Sequence, residues 1–206
     1  MTTHLQVVVD IETLHKYDNA VITRIALTPF RFDEGLLSFD ELVNRTFYIA
    51  LDQEIQFNMG RVSGQETMDW WNTQSEELRI ESFYPTDNDL DPRVALLEMK
   101  RFLKRWNYDH FHSFLWARNS GFECFKLQSL NEQLFPGVKQ VLNPWNWHEC
   151  KTFNHIMTGG DTSKWKPKDE ESLGFQYHNA KHAAAMDAYR LICLWNGVHD
   201  NPEGEE

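Results

Sequence analysis

Leu5-Gln6-Val7-Val8-Val9-Asp10-Ile11-Glu12-Thr13 opens as a β-strand and closes on two acids. Its first half is β-branched and nearly all apolar, the pattern of a strand covered on both faces. Alternation along a strand puts Asp10 and Glu12 on one side of it. Like charges converging beside a core are costly unless a cation lies between them. A divalent ion bound through oxygen suits such a pair, with Mg²⁺ or Mn²⁺ the best match to carboxylates. The same three residues also fit a strand end that simply reaches solvent.

Two more strand signals follow at hairpin-compatible spacing, Val21–Leu27 and Thr46–Leu51, so a meander is predicted to open a mixed sheet. From Gly64 the pattern turns helical through Trp71. Residues 74–92 hold Glu76, Glu77, Glu81, Asp87, Asp89 and Asp91 against a single Arg79, and read as an acidic solvated loop. Asp91-Pro92 is a helix start, an N-cap with proline at the first helical position. That helix carries Leu96, Met99, Leu103 and Trp106 inward and Lys100, Arg101, Lys104 and Arg105 on a solvated face. Ser113–Ala117 reads as a strand, Asn119-Ser120-Gly121 as a turn, and a helix follows to about Leu134. Residues 136–167 read as irregular. Ala180–Asn196 is the last helix, stopped by Gly197, and residues 199–206 are an acidic tail expected to fray. The order predicts one α/β domain over residues 1–198.

Of the 206 residues, 20 are Lys or Arg and 31 Asp or Glu, a net charge of −11. That balance argues against a protein coating duplex DNA with a broad basic face, but not against an enzyme gripping a few nucleotides through metal ions. With 41% hydrophobic and 25% charged residues the composition is globular. No apolar run approaches the roughly 20 residues that span a bilayer, and Met1-Thr2-Thr3-His4 shows no secretory signal, so no membrane partner is expected. Cys124, Cys150 and Cys193 are odd in number and lack a C-x-x-C. A disulfide or cysteine–zinc framework is not expected, and a reducing cytoplasm is.

Two further acids break apolar stripes. Glu123 shares a helix face with Leu127, Leu130 and Leu134, and Asp187 shares one with Ala183, Leu191 and Leu194. Each has a bland reading, as a helix N-terminal acid favoured by the macrodipole or as a buried hydrogen-bonded side chain. His182 lies five residues before Asp187, and a neutral histidine is a suitable base for water. Four carboxylates and one histidine aimed at one sheet edge make a two-metal phosphoryl-transfer site, one metal activating water and the other stabilising the leaving 3′ oxygen. His178 and His182 are also an i, i+4 pair, but lack the intervening glutamate of the zinc motif H-E-x-x-H.

Together Asp10-Ile11-Glu12-Thr13, Asn119-Ser120-Gly121-Phe122-Glu123 and His182-Ala183-Ala184-Ala185-Met186-Asp187-Ala188 resemble the DEDDh branch of the DnaQ-like 3′–5′ exonuclease superfamily. Thr67–Gln74, with Trp70-Trp71, and Trp147–Thr152 are similar to segments of the phage exonuclease A type and its bacterial exoribonuclease relatives. The resemblance implies a ribonuclease-H-like mixed β-sheet flanked by α-helices, two Mg²⁺ or Mn²⁺ ions, and release of nucleoside 5′-monophosphates. It implies that Asp10, Glu12, Glu123 and Asp187 hold the metals and that His182 deprotonates water. Thr13 and Leu14 are expected to seat the terminal nucleotide, with Trp71, Asn119 and Phe122 around it. Departures are Glu123 for the usual Asp, and Glu149 and Lys151 for Asp and Arg. Trp70 or Trp71 is a candidate stacking surface, and Trp165 among Lys164, Lys166 and Lys168 a candidate nucleic-acid patch. The expected activity is 3′–5′ exonuclease on single-stranded or frayed DNA 3′ ends, in the cytoplasm, or the host cytoplasm if the chain is viral. The alternatives are an exoribonuclease with the same site and a catalytically degenerate fold that only binds.

Overall fold

The computed structural model describes residues 4–161 and 173–198. Among these, β1 (Gln6–Thr13), β2 (Ile22–Phe30), β3 (Phe47–Ala50), β4 (Phe114–Ala117) and β5 (Trp147–Glu149) form one sheet in the order β3-β2-β1-β4-β5. β1, β2 and β3 are the antiparallel meander expected, while β4 and β5 run parallel to β1. The helices are α1 (Phe39–Arg45), α2 (Gln53–Asn58), α3 (Gln65–Asn72), α4 (Glu76–Ser82), α5 (Pro92–Arg105), α6 (Ser120–Leu134), α7 (Cys150–Met157) and α8 (Ala180–Trp195). No helix among the described residues is long and apolar enough to cross a membrane.

Alternation along β1 sorts the core into two layers. Val7, Val9 and Ile11 face a cluster with Leu96, Met99 and Leu103 of α5 and Leu127, Leu130 and Leu134 of α6. Val8 faces the other way, onto Ala184, Ala185, Ala188, Leu191 and Ile192 of α8 and Phe39 and Leu42 of α1. Alanines let α8 lie close against β1 and β2, where larger side chains would hold it off. The expected cap is present: the Asp91 carboxylate accepts from the Arg93 amide at 2.7 Å and Pro92 opens α5.

Two expectations are corrected. The acidic connector is not simply a solvated loop, because it contains α4, capped by Ser75, and buries Ser82 and Phe83. Residues 136–167 are not wholly irregular, because they contain β5 and α7. The 199–206 tail lies outside the described residues.

Candidate active site

The strand does not end at the acids but carries them within it, with Asp10 paired to Ala26 and Glu12 to Arg24 across β2. Both carboxylates therefore share the face of β1 that α8 covers. α8 supplies Asp187, 3% exposed, and the first turn of α6, rising from the end of β4, supplies Glu123, 5% exposed. β4 and β1 are parallel, so these side chains lie toward the carboxyl-terminal ends of the two strands, the end at which open α/β sheets bind ligands.

Their charges bear on one another. Burial pushes the Asp10 carboxyl well above its ordinary range, and the charges of Glu12, Glu123 and Asp187 push it further. Burial likewise raises Glu12, against the pull of Arg24 and with the repulsion of Glu123. Glu123 is pushed up to about 8, by burial and by Asp187, against its own backbone amide, Lys126 and Lys151. Its Oε2 is buried with no hydrogen-bond partner. A buried oxygen without a partner costs about 1–3 kcal/mol, and more if charged.

Three arginines, none anticipated from the sequence as part of the site, supply counter-charge. Arg118, just past β4, places Nη2 3.0 Å from Asp187 Oδ1 and Nε 3.4 Å from Oδ2. Arg190, one turn along α8, adds a bond to Oδ1 at 2.9 Å. Arg24 stands under Glu12, 2% exposed, donating to the carbonyls of Glu81 (2.7 Å), Thr23 (2.9 Å) and Tyr84 (2.9 Å). A basic residue one position past a strand end and one turn after an acid is the sequence signal for Arg118 and Arg190. For Arg24, the signal was one charged residue in a strand that otherwise carries no charge.

Asp187 is thus drawn toward guanidinium groups, and among the described residues no three His, Cys, Asp or Glu side chains converge closely enough to ligate one ion. The donor set still fits divalent cations in kind: hard carboxylate oxygens, mutual repulsion, and the partnerless Oε2 of Glu123.

His182 is turned elsewhere. Its Nδ1 accepts from the Gln176 amide at 3.2 Å and its ring meets Phe39 edge-on at 5.7 Å. Burial lowers its pKa, as does Lys181, while Glu81, the Gly174 backbone and Asp40 raise it; none of the four carboxylates is among these influences. With Nδ1 engaged by an amide, the neutral ring carries its proton on Nε2. His178, in the left-handed region at φ 59°, packs on Trp70 at 4.6 Å, and burial and then Arg118 lower its pKa.

Trp71 offers no stacking face: it is 1% exposed, packs with Leu14, Val21 and Phe83, and donates to the Thr13 carbonyl at 3.3 Å. Leu14 is equally buried, so Trp71 and Leu14 shape the turn beneath the site, and Trp70 is the accessible ring. Gly64 permits that turn, since a Cβ there would lie 2.4 Å from the His15 ring. Asn119 is exposed at the α6 N-terminus, and Phe122 carries Lys126 Nζ 3.3 Å above its ring. Glu149 accepts from Thr152 Oγ1 at 2.6 Å. The Trp165 patch with Lys164, Lys166 and Lys168 lies outside the described residues.

No curated protein sequence matches the chain. In structure it is similar to the nuclease domain of 3′hExo, a DEDDh family member bound to rAMP (TM-score 0.61, 12% identity, 95% of this chain and 94% of that one). It is also similar to cell-death related nuclease 4, CRN-4 (TM-score 0.58, 10% identity, 96% and 66%), and to exonuclease I (TM-score 0.56, 8% identity, 95% and 43%). The chain thus spans about two thirds of CRN-4 and under half of exonuclease I. These likenesses carry the fold, and the mixed sheet flanked by helices is ribonuclease-H-like, as expected. Residues 5–198 match the Rv2179c-like 3′–5′ exoribonuclease domain family, and the chain belongs to that family of 3′–5′ exonucleases.

Proposed function

We propose that the chain removes nucleoside 5′-monophosphates from the 3′ ends of single-stranded RNA, with Asp10, Glu12, Glu123 and Asp187 holding two divalent cations, Mg²⁺ or Mn²⁺. The observation that supports this reading is the gathering of four carboxylates from β1, α6 and α8, one of them with a buried oxygen that nothing satisfies. Such cations supply activation of water and stabilisation of the leaving 3′ oxygen. Arg190 is buried and remains with Asp187, whereas Arg118, with 42% of its side chain exposed, yields its place to a cation. Thr13, whose carbonyl accepts from the Trp71 indole, and Leu14 would seat the terminal nucleotide, with Trp70, 39% exposed, as its stacking surface.

The sequence expectation favoured DNA; the family's description as exoribonucleases moves the reading to RNA. Matched RNA and DNA oligonucleotides labelled at the 5′ end, incubated with Mg²⁺ or Mn²⁺, decide it. RNA is expected to shorten in single-nucleotide steps. Faster loss of DNA restores the earlier reading, and no product from either leaves a binding module.

His182 takes the proton from water by its place in the motif, which requires its ring to leave Gln176. A second reading, carried by the contact of His178 with Trp70 and its nearness to Arg118, gives that role to His178. His182→Ala is expected to lose about 10²–10⁴-fold in kcat and His178→Ala far less. The reverse order transfers the role.

A further inference from the structure

We infer that a groove at the opposite end of the sheet from the carboxylates is a second binding site for single-stranded nucleic acid. The inference builds on the proposed activity and concerns how a long substrate is held. β4 and β5 are parallel to β1, so the segments entering them, residues 107–113 and 136–146, lie at the edge remote from Glu12 and Glu123. Between these segments and the end of α5 run two adjoining hollows of about 540 and 570 Å³, sharing His110, Lys139 and Gln140. Each lies within the size range of ligand sites.

The lining combines what single-strand binding needs. Trp145 is 89% exposed and Phe111 69%, two large rings presented to solvent along one groove. Lys139 Nζ stands 4.5 Å from the Phe111 ring centre, and Lys100 and Lys104 project from α5 into the first hollow. Asp109 is the acid in the lining, and its carboxylate is turned back onto the amides of Phe111 and His112 and the His112 ring. In a chain of net charge −11, lysines beside exposed rings complement an anionic polymer with stackable bases. Lys100 and Lys104, exposed on α5 as the sequence predicts, also line the first hollow.

The scaffold is stiff. Asn143 Nδ2 donates to the His110 carbonyl at 2.7 Å, and Asn146 Nδ2 to the carbonyls of His110 (3.2 Å) and Ser113 (3.1 Å). The Asn143 amide donates to Tyr108 Oη at 3.1 Å, and Asn143 Oδ1 accepts from the Trp145 amide at 3.1 Å, which holds the backbone that presents the indole at the rim. A strand whose 3′ end lies among the carboxylates must pass the length of β4, about 13 Å at 3.3 Å per residue, to reach it. Short substrates therefore miss the groove and long ones use it.

The test measures fluorescence anisotropy of a 5′-labelled RNA of about 20 nucleotides on the full chain in EDTA, so that binding is read without turnover. Trp145→Ala is expected to weaken binding about fivefold to a hundredfold. Lys104→Glu with Lys139→Glu is expected to lower the slope of log affinity against log salt by about 0.7 per lost phosphate contact. With Mg²⁺ present, both variants should raise KM for the long RNA while leaving turnover of a dinucleotide unchanged, and both should melt with the wild type. Binding of the long RNA equal to wild type in both variants overturns the inference, including the case in which the groove serves a protein partner instead. A wild type that cleaves nothing yet loses RNA binding on Trp145→Ala sinks the proposed activity and leaves the groove standing.

Discussion

Replacing Asp10 by asparagine keeps its size and removes one charge from a set that repels. The carboxyl is held well above its ordinary range by burial and by Glu12, Glu123 and Asp187. In the metal-free protein at pH 8, Asp10→Asn is therefore expected to raise stability by about 1 kcal/mol, a rise of about 2–4 °C in Tm for a chain of this size. The same substitution removes a metal-binding oxygen and is expected to lower hydrolysis about a thousandfold or more, several kcal/mol of transition-state stabilisation. Thermal melting in EDTA beside a labelled-RNA assay reads both. A destabilised variant would mean that the Asp10 carboxylate is held by favourable bonds, contrary to the repulsion that its raised pKa records.

At the scale of elements, α4 illustrates what the sequence concealed. Six acids and one arginine between residues 74 and 92 look like a loop in water, yet Arg24 from the apolar strand β2 reaches into this segment and binds the carbonyls of Glu81 and Tyr84. It also lies 4.0 Å from the buried carboxylate of Asp89. The link joins residues nearly 60 positions apart, which no local periodicity reports. The short β5–α7 pair is hidden for the same reason, since β5 exists only by pairing with β4. By contrast, β1 was legible as an apolar run ending in two acids of one face, and α6 and α8 because each places an acid on an apolar stripe at a fixed period, and Glu123 and Asp187 are indeed buried beside their leucines. The position of His182 was not legible, since its ring is claimed by Gln176 on a neighbouring turn. Arg24→Met conserves length but takes the buried cation from beside Asp89 and a donor from the Thr23, Glu81 and Tyr84 carbonyls; it is expected to destabilise by about 3–5 kcal/mol. Urea denaturation measures this, and a loss under about 1 kcal/mol would show that the carbonyls find water instead.

Across the whole molecule, the core layers on either side of β1 bring carboxylates into a space that burial makes hostile to charge. Asp10, Glu12 and Glu123 all have raised pKa values, Glu123 from its ordinary 4.5 to about 8. The folded state thus binds more protons than the unfolded one. That contribution to stability is fully present below the unfolded pKa and is lost as pH rises through the folded one. Through Glu123 the metal-free protein is therefore expected to lose stability between about pH 4.5 and 8, and Asp10 and Glu12 act in the same direction. Divalent cations reverse the sign, because they bind the deprotonated carboxylates and at lower pH must displace the protons first. A ligand at 100 times its Kd adds about 2.7 kcal/mol per site to the folded state. For a chain of this size that is about 5–10 °C in Tm. Millimolar Mg²⁺ should accordingly raise Tm markedly at pH 8.5 and much less at pH 6. Melting curves with Mg²⁺ and with EDTA at both pH values test this. Equal shifts at the two would show that the ion binds away from the protonated carboxyls, and the absence of any shift would show that Arg118 and Arg190 already meet the site's need for positive charge.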